Sequence, residues 1–286
     1  MPSSNAFVVT SRFASLAIIL AMASTLDVNA FSYKAVFIGL LFSHFAMGFV
    51  YSKANMQAIA KQKSGLMVAL FIMAIGIVLA ITVPTTAKYY LVFHAALSDA
   101  YLLTLLSRRK DGENLALARS LFYSACFALL IIDLSIIASN ALMVLASISL
   151  IWMILQVRER GTLILFEAPL VAITAYAFAN QITFPFHFLG FYHILTWYVF
   201  SFWMLTIKER NPKKTAIFFS QIGVLSAAFV MLFSFAMGYD ITDVTFLQVV
   251  GAFSILHIFS TIPLSKFNPR AIKQIFYPEA GRSARA

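Results

Sequence analysis

The chain has 286 residues, of which 61% are hydrophobic and only 11% are charged, and its mean hydropathy is +0.87. In soluble domains about a quarter of the residues are charged, so this composition excludes a soluble domain. It predicts an all-α, polytopic integral membrane protein. The single cysteine, Cys126, excludes an internal disulfide and a cysteine-based metal cluster. The net charge of +10 lies mostly in loops, which points to membrane lipid headgroups and not to nucleic acid as its partner.

Ten apolar segments follow one another along the chain. They are continuous runs of about 18–22 residues, the length that crosses a bilayer as a helix, whereas a membrane β-barrel shows short alternating segments. The segments lie near residues 12–28, 33–52, 65–84, 87–107, 117–138, 140–156, 162–181, 184–207, 214–237 and 244–263. The apolar run over residues 117–156 is too long for one span, so we divide it at Ser139-Asn140. We therefore predict about ten transmembrane helices in a single helical domain, residues 1–263.

Positive charge alternates between the loops that join these segments. One set of loops is strongly basic, with residues such as Lys53, Lys63, Arg109, Arg158, Arg160, Lys208 and Lys214, whereas the alternate set holds only Lys34 and Lys88. By the positive-inside rule the basic loops and both termini are cytoplasmic. Residues 264–286 then form a cytoplasmic basic tail. We expect a multi-pass protein of the cell inner (plasma) membrane.

The first apolar segment has a second interpretation. Arg12, the apolar run from Ala14 to Ala23 and the small residues near Val28-Asn29-Ala30 also fit a signal peptide. In either interpretation, the next segment enters the membrane from the outer face. The directions of the later segments are therefore the same.

All five histidines lie inside apolar segments that run from the outer face toward the cytoplasm. Ionisable side chains at membrane depth are costly and face the bundle interior, and imidazole is a common ligand of iron, copper and zinc. His187 and His193 point about 120° apart on one helix, so both are not expected to bind one metal ion. Because His187 follows Pro185 near the interface, we choose His193 as the metal ligand. With a rise of about 1.5 Å per residue, a common depth is allowed for the predicted metal ligands His44, His94, His193 and His257.

Two side chains on the helix of His94 are candidates for catalysis. Asp99 follows His94 by five residues and therefore points about 140° away from it, so Asp99 is not expected to bond to that imidazole directly. Tyr101 shares the helix face of His94. We take Asp99 and Tyr101 as candidate catalytic residues.

Two further acids fall inside apolar segments. Asp133 lies near the outer third of its segment and could reach the histidine layer, so it is the third candidate catalytic residue. Glu167 lies nearer the cytoplasmic side, where we expect Arg158 or Arg160 to pair with it.

The stretch Phe93-His94-Ala95-Ala96-Leu97-Ser98-Asp99-Ala100-Tyr101 resembles a motif of the Brp/Blh family of membrane-embedded carotenoid dioxygenases. That family has His-Phe-Gly-x-x-Asp on an early span, and the order and rough spacing of the four chosen histidines also resemble its histidine series. The stretch around His44 lacks the family's proline and acid. The resemblance implies ferrous iron, Fe(2+), held by the four histidines, and an enzyme that cleaves β-carotene to retinal.

Two other functions remain open. Ten spans in two inverted sets of five resemble the drug/metabolite transporter superfamily, in which His94, Asp99 and Asp133 would serve proton coupling or substrate binding. Two facing histidines would instead hold a haem for electron transfer. Phosphate loops, nucleophile elbows and HExxH motifs are absent from the sequence, which disfavours nucleotide hydrolysis and protease chemistry. We therefore predict an iron-dependent oxidoreductase of a hydrophobic molecule such as a carotenoid, with the transporter as the alternative.

Reporter fusions test the predicted topology. Fusions after Lys63, Lys110, Arg160 and Lys214 are expected to report a cytoplasmic location, and fusions near Thr86, Asn140 and Asp240 an external one. The physical reason is that Lys and Arg beside a span are retained inside. Paired alkaline phosphatase and fluorescent protein fusions provide the measurement. An external signal after Lys110 or Arg160 would place the histidines on helices of mixed direction and remove the argument for a shared site.

Overall fold

The structure is a computed structural model. It describes residues 30–61, 63–106, 113–157, 160–236 and 243–261, together with residues 10, 12–18, 21 and 27. These parts of the chain are helical with short connections, and they contain no strand. Residues 12–18 are helical. The helices that follow are α1 (Phe31–Tyr51), α2 (Lys53–Ala60), α3 (Lys63–Thr82), α4 (Thr86–Leu106), α5 (Glu113–Ile131), α6 (Ile136–Gln156), α7 (Arg160–Asn180), α8 (Phe186–Phe202), α9 (Pro212–Ala236) and α10 (Val244–Thr261). The predicted all-α fold is confirmed.

Within the described residues, five helices are long and apolar enough to cross a membrane: Phe31–Tyr51, Gly65–Thr82, Ile136–Gln156, Leu163–Asn180 and Pro212–Ala236. Leu117–Ile131 and Val244–Ser260 are shorter apolar helices. The outer helices expose large apolar side chains, such as Ile137 at 82% and Phe235 at 91% of their surface. Such a surface is costly in water and suits lipid. The chain is therefore a membrane protein, whereas the count of ten spans and the orientation of the termini stay predictions.

The connection between α5 and α6 differs from the prediction. Helix α5 ends at Ile131 and α6 begins at Ile136, not at Ser139-Asn140. The side chain of Ser135 accepts a hydrogen bond from the backbone N–H of Ala138, which caps the first turn of α6. Asp133 consequently lies in an exposed connection. Its predicted position inside a span is wrong.

Four helices form a ring at the centre of the bundle. Helix α1 packs on α8 and α10, and α4 packs on the same two helices. The remaining helices pack around this ring: α9 lies against α1, α3 against α10, and α5 against α4. Each helix of the ring carries at least one buried histidine.

Small residues let two of these helices approach closely. A Cβ atom added to Gly251 of α10 would lie 2.8 Å from the Cβ of Ala80 on α3 and 3.5 Å from the Cβ of Ala87 on α4. Helices in membranes associate through such small residues, because the backbones can then make van der Waals contact. This contact fixes the position of α10, and therefore of His257, in the ring.

Candidate metal centre

The four predicted histidines meet in the central ring. Measured between ring centroids, His94 lies 4.6 Å from His193 and 4.6 Å from His257. His44 lies 4.9 Å from His193 and 4.8 Å from His257. All four side chains are buried, with 2–6% of their surface exposed. Because helices α1, α8, α4 and α10 contact one another in that cyclic order, each imidazole has two imidazole neighbours.

Three of these imidazoles are close enough to hold one metal ion. His44, His94 and His193 can each offer a ring nitrogen, and these nitrogens lie within 4.8 Å of one another. The Nε2 atoms of His44 and His193 are 3.2 Å apart. Two nitrogens that each lie about 2.1 Å from one ion are about 3.0–3.4 Å apart at angles from 90° to tetrahedral. The arrangement therefore suits a metal ion, and imidazole ligands accept iron, copper, nickel or zinc.

Several ring nitrogens in the cluster lack a hydrogen-bond partner. Both nitrogens of His94 and Nδ1 of His193 are buried without one in the part of the chain that the structure describes. Buried polar atoms in proteins are nearly always hydrogen-bonded, because desolvation without compensation is costly. A bound metal ion would supply the missing partner to such a nitrogen.

His257 is accommodated because residue 48 is a glycine. Gly48 follows His44 by one helical turn on α1, so both face the same side of that helix. A Cβ added to Gly48 would lie 2.0 Å from Cε1 and 2.2 Å from Nδ1 of His257, far closer than real atoms approach. The imidazole of His257 therefore lies directly against the backbone of α1. Sequence reasoning missed this role, although the four-residue spacing from His44 could have indicated it.

The fifth histidine lies outside the cluster. His187 is buried at the start of α8, where its ring is 5.4 Å from that of Tyr33 and 6.0 Å from that of Phe37. It is thus enclosed by aromatic side chains of α1, and its predicted position at the membrane interface stays a prediction. The structure therefore places His193, and not His187, in the cluster.

Asp99 belongs to a buried network of charged groups beside the histidines. Arg12 donates from Nη1 to Oδ2 of Asp99 at 2.9 Å and from Nη2 to Oε2 of Glu167 at 3.1 Å. Tyr192 donates to Oδ2 of Asp99 at 2.7 Å, and Tyr123 donates to Oε1 of Glu167 at 2.5 Å. Asp99 is therefore directed away from His94, as the helix geometry predicts.

The predicted pairing of Glu167 with Arg160 is wrong. Glu167 pairs with Arg12 from the N-terminal segment, whereas Arg160 is exposed at the start of α7 and Arg158 lies outside the described residues. The sequence did contain a signal for this pairing. Arg12 lies in one apolar segment and two acids lie in others, and charged residues at membrane depth pair with one another. The side chain of the other candidate, Tyr101, also lies outside the described residues.

A second group of polar side chains lies next to His44. The hydroxyl of Tyr198 is 2.9 Å from that of Ser43, and the hydroxyl of Ser226 donates to Ser43 at 3.1 Å. The ring of Tyr198 lies 6.3 Å from that of His44. These bonds join α1, α8 and α9 immediately beside the cluster and restrict movement of the helix that carries His44.

Comparison with known proteins adds no relative to this geometry. No family model, no curated protein and no solved structure matches the chain. Its function is therefore argued from the histidine cluster and its surroundings.

The substitution Gly48→Ala tests the position of His257. The added methyl group occupies the space of the imidazole, so we expect His257 to be displaced and metal retention to fall about tenfold or more. The measurement is the metal content per protein molecule after dialysis against a chelator.

Gly223→Ala is the matched control, because a Cβ at Gly223 of α9 meets nothing within 4 Å. This variant should retain metal like the parent and melt at the same or a higher temperature, since alanine favours helix. Equal metal content in both variants would contradict the contact between residue 48 and His257 as a requirement of the site.

Proposed function

We propose that this protein is an integral membrane oxidoreductase with a histidine metal centre, and most specifically an iron-dependent dioxygenase that cleaves a carotenoid such as β-carotene. The observation that carries the proposal is the meeting of four imidazoles from four helices in a buried site. The finer choice of reaction is supported by the resemblance of the His94 and Asp99 stretch to the Brp/Blh family.

The residues present suit an iron ion. His44, His94 and His193 would hold it, and His257 would complete a set of four nitrogen ligands. Four protein ligands leave positions open on an ion that prefers six. When bound, iron supplies the activation of dioxygen that oxidative cleavage of a carbon–carbon double bond requires. The chain's own residues orient the ligands, exclude water and provide an apolar surrounding.

The surroundings of the cluster favour an apolar substrate. A cavity of about 50 Å³ is lined in part by Tyr192, the residue before His193, and its walls are almost entirely hydrocarbon, including Leu16, Phe127 and Leu170. Binding sites recognise charged or sugar-like ligands through polar groups, which these walls do not offer. A molecule that dissolves in lipid can reach such a bundle from the membrane itself. The lining of this cavity favours an apolar ligand, and the choice of a polyene rests on the resemblance to the Brp/Blh family.

The two alternatives have less support. In a transporter, Asp99 and Asp133 would handle protons or substrate, but Asp99 is bonded to Arg12 and Tyr192, and Asp133 is exposed in a connection. In a haem protein, a macrocycle would have to pass between the two coordinating rings. Neighbouring ring centroids here lie only 4.6–4.9 Å apart, and His44 and His94, at 6.3 Å, both have His193 and His257 against them, which leaves no slot of that kind.

Metal analysis of the purified protein tests the centre. We expect about one iron per chain and no Soret band, with loss of most of the iron on substitution of any one clustered histidine by alanine. A packed bundle cannot replace a lost imidazole with another ligand. The four test variants are His44→Ala, His94→Ala, His193→Ala and His257→Ala.

His187→Ala is the control for this series, because His187 is equally buried but lies outside the cluster. It should keep its iron. If all five variants keep iron equally, the cluster is not the metal site, and a Soret band would support haem instead.

Co-expression with the enzymes that make β-carotene tests the reaction. The polyene partitions into the bacterial membrane, so the parent protein should bleach the orange cells and accumulate retinal, in an oxygen-dependent manner. Cells that carry His94→Ala should stay orange. If cells with folded, iron-loaded parent protein also stay orange, β-carotene is not the substrate. If the folded protein holds no iron, the transporter becomes the better hypothesis.

A further inference from the structure

Four buried charges lie together next to the histidine centre. They are Arg12, Arg119, Asp99 and Glu167, and each exposes only 1–3% of its surface. Arg12 binds both carboxylates, and Arg119 lies close enough to Glu167 to interact with it electrostatically. Two cations thus balance two anions. Buried ions persist only when they are paired in this way, because the loss of one partner leaves an uncompensated charge in a medium of low dielectric constant.

This charged group is connected to two of the histidine helices. Asp99 is on α4, five residues after His94, and Tyr192 is on α8, immediately before His193. The hydrogen bond from the hydroxyl of Tyr192 to Oδ2 of Asp99 therefore joins α8 directly to α4. The imidazoles of the same two helices are in contact at a centroid distance of 4.6 Å.

A single oxygen atom receives both bonds. Oδ2 of Asp99 accepts from Nη1 of Arg12 at 2.9 Å and from Tyr192 at 2.7 Å. Because Arg12 is also held by Glu167, the side chain of Asp99 cannot rotate without breaking both bonds at once. The guanidinium carbon of Arg12 lies 5.6 Å from the ring centre of Tyr192 and 4.4 Å from that of Phe166, so the cation is also fixed over aromatic rings.

We propose that Arg12, Asp99 and Tyr192 are positioning residues of the histidine centre. Arg12 fixes Asp99, Asp99 fixes the hydroxyl of Tyr192, and α8 is thereby held against α4 so that His193 faces His94. The N-terminal segment is then a functional part of the site, since it supplies the central cation. The effect on metal affinity rests on the proposed function. The effect on the orientation of the His193 imidazole rests on the contact of α4 with α8.

Tyr192→Phe is the sharpest test, because it removes only the hydroxyl that bonds to Asp99. Its control is Tyr90→Phe, which removes the bond from another tyrosine of the bundle, on α4, to the backbone oxygen of Gly76. In metal-free protein labelled with ¹⁵N-histidine, the nitrogen signals of His193 should move in Tyr192→Phe and stay unchanged in Tyr90→Phe. Affinity for added Co²⁺ should fall about tenfold in Tyr192→Phe alone, with a changed visible spectrum of the bound ion.

The ¹⁵N signals and the Co²⁺ affinity distinguish a failure of the positioning role from a failure of the proposed metal centre. If the parent protein takes up no Co²⁺ and contains no metal, the proposed metal centre fails, while the ¹⁵N signals still decide whether Tyr192 positions His193. If the signals of Tyr192→Phe match those of the parent, the positioning role is overturned whether or not the protein binds metal.

The role of Arg12 needs a variant that keeps the buried charge balanced. Arg12→Met with Asp99→Asn removes one cation and one anion, which leaves Arg119 and Glu167 as a pair. We expect this double variant to fold, as judged by its helical circular dichroism, and to show displaced His193 signals because residue 99 is no longer fixed. Parent-like His193 signals in the folded double variant would show that Arg12 has no positioning role.

Discussion

Lipid offers no hydrogen-bond partner, so every polar side chain in the apolar helices of this protein must find one inside the bundle. This constraint explains the arrangement of the helices. The outer faces present side chains such as Ile137 and Phe235, which need no partner. Imidazoles, carboxylates and guanidinium groups lie inside. The ring of α1, α8, α4 and α10 is the arrangement that brings four of the imidazoles together.

The two buried polar groups satisfy this constraint in different ways. In the charged group, Arg12 bonds to both Asp99 and Glu167, and two tyrosines bond to the same carboxylates, while Nε of Arg12 and Oδ1 of Asp99 have no partner among the described residues. In the histidine group, both ring nitrogens of His94 have no hydrogen-bond partner among the described residues. Opposite charges that neutralise one another suit a structural role, whereas neutral imidazoles that converge from separate helices suit a site for a metal ion. The chemistry is therefore assigned to the histidines, and the charged group to their support.

The sequence was sufficient for the features that depend on local pattern. Continuous apolar runs predicted the helices, because their length is set by the bilayer, and the shared direction of the runs predicted that the histidines could meet. The position of Asp133 was predicted wrongly because apolar residues continue across the connection, and the cap at Ser135 was not recognised. Local signals of this kind are present in the sequence, but they are weaker than the apolar run that surrounds them.

The contacts that support the histidine cluster depend on distant parts of the chain and were not predicted. Arg12 bonds to residues 87 and 155 positions away, and its own segment had a second interpretation as a signal peptide. The spacing of Gly48 from His44 places both on one face of α1, but the role of Gly48 also depends on how closely α10 approaches α1, which that spacing does not give. Contacts between helices are set by side-chain shape at each crossing. The histidines of the site were therefore predicted from the sequence, whereas the contacts that hold them in place were not.

The pairing of the acids also bears on the metal. In the described part of the chain, Asp99 and Glu167 both accept from Arg12, so their charges are already compensated and neither joins the histidine cluster. A metal ion held there would have only imidazole ligands from the protein and would keep its full positive charge. Low dielectric surroundings penalise each added charge, so neutral ligands and burial favour the lower oxidation state of a redox metal. An iron ion in this cluster would thus be stabilised as ferrous iron, the form that reacts with dioxygen, and the separation of the acids from the histidines contributes directly to that preference.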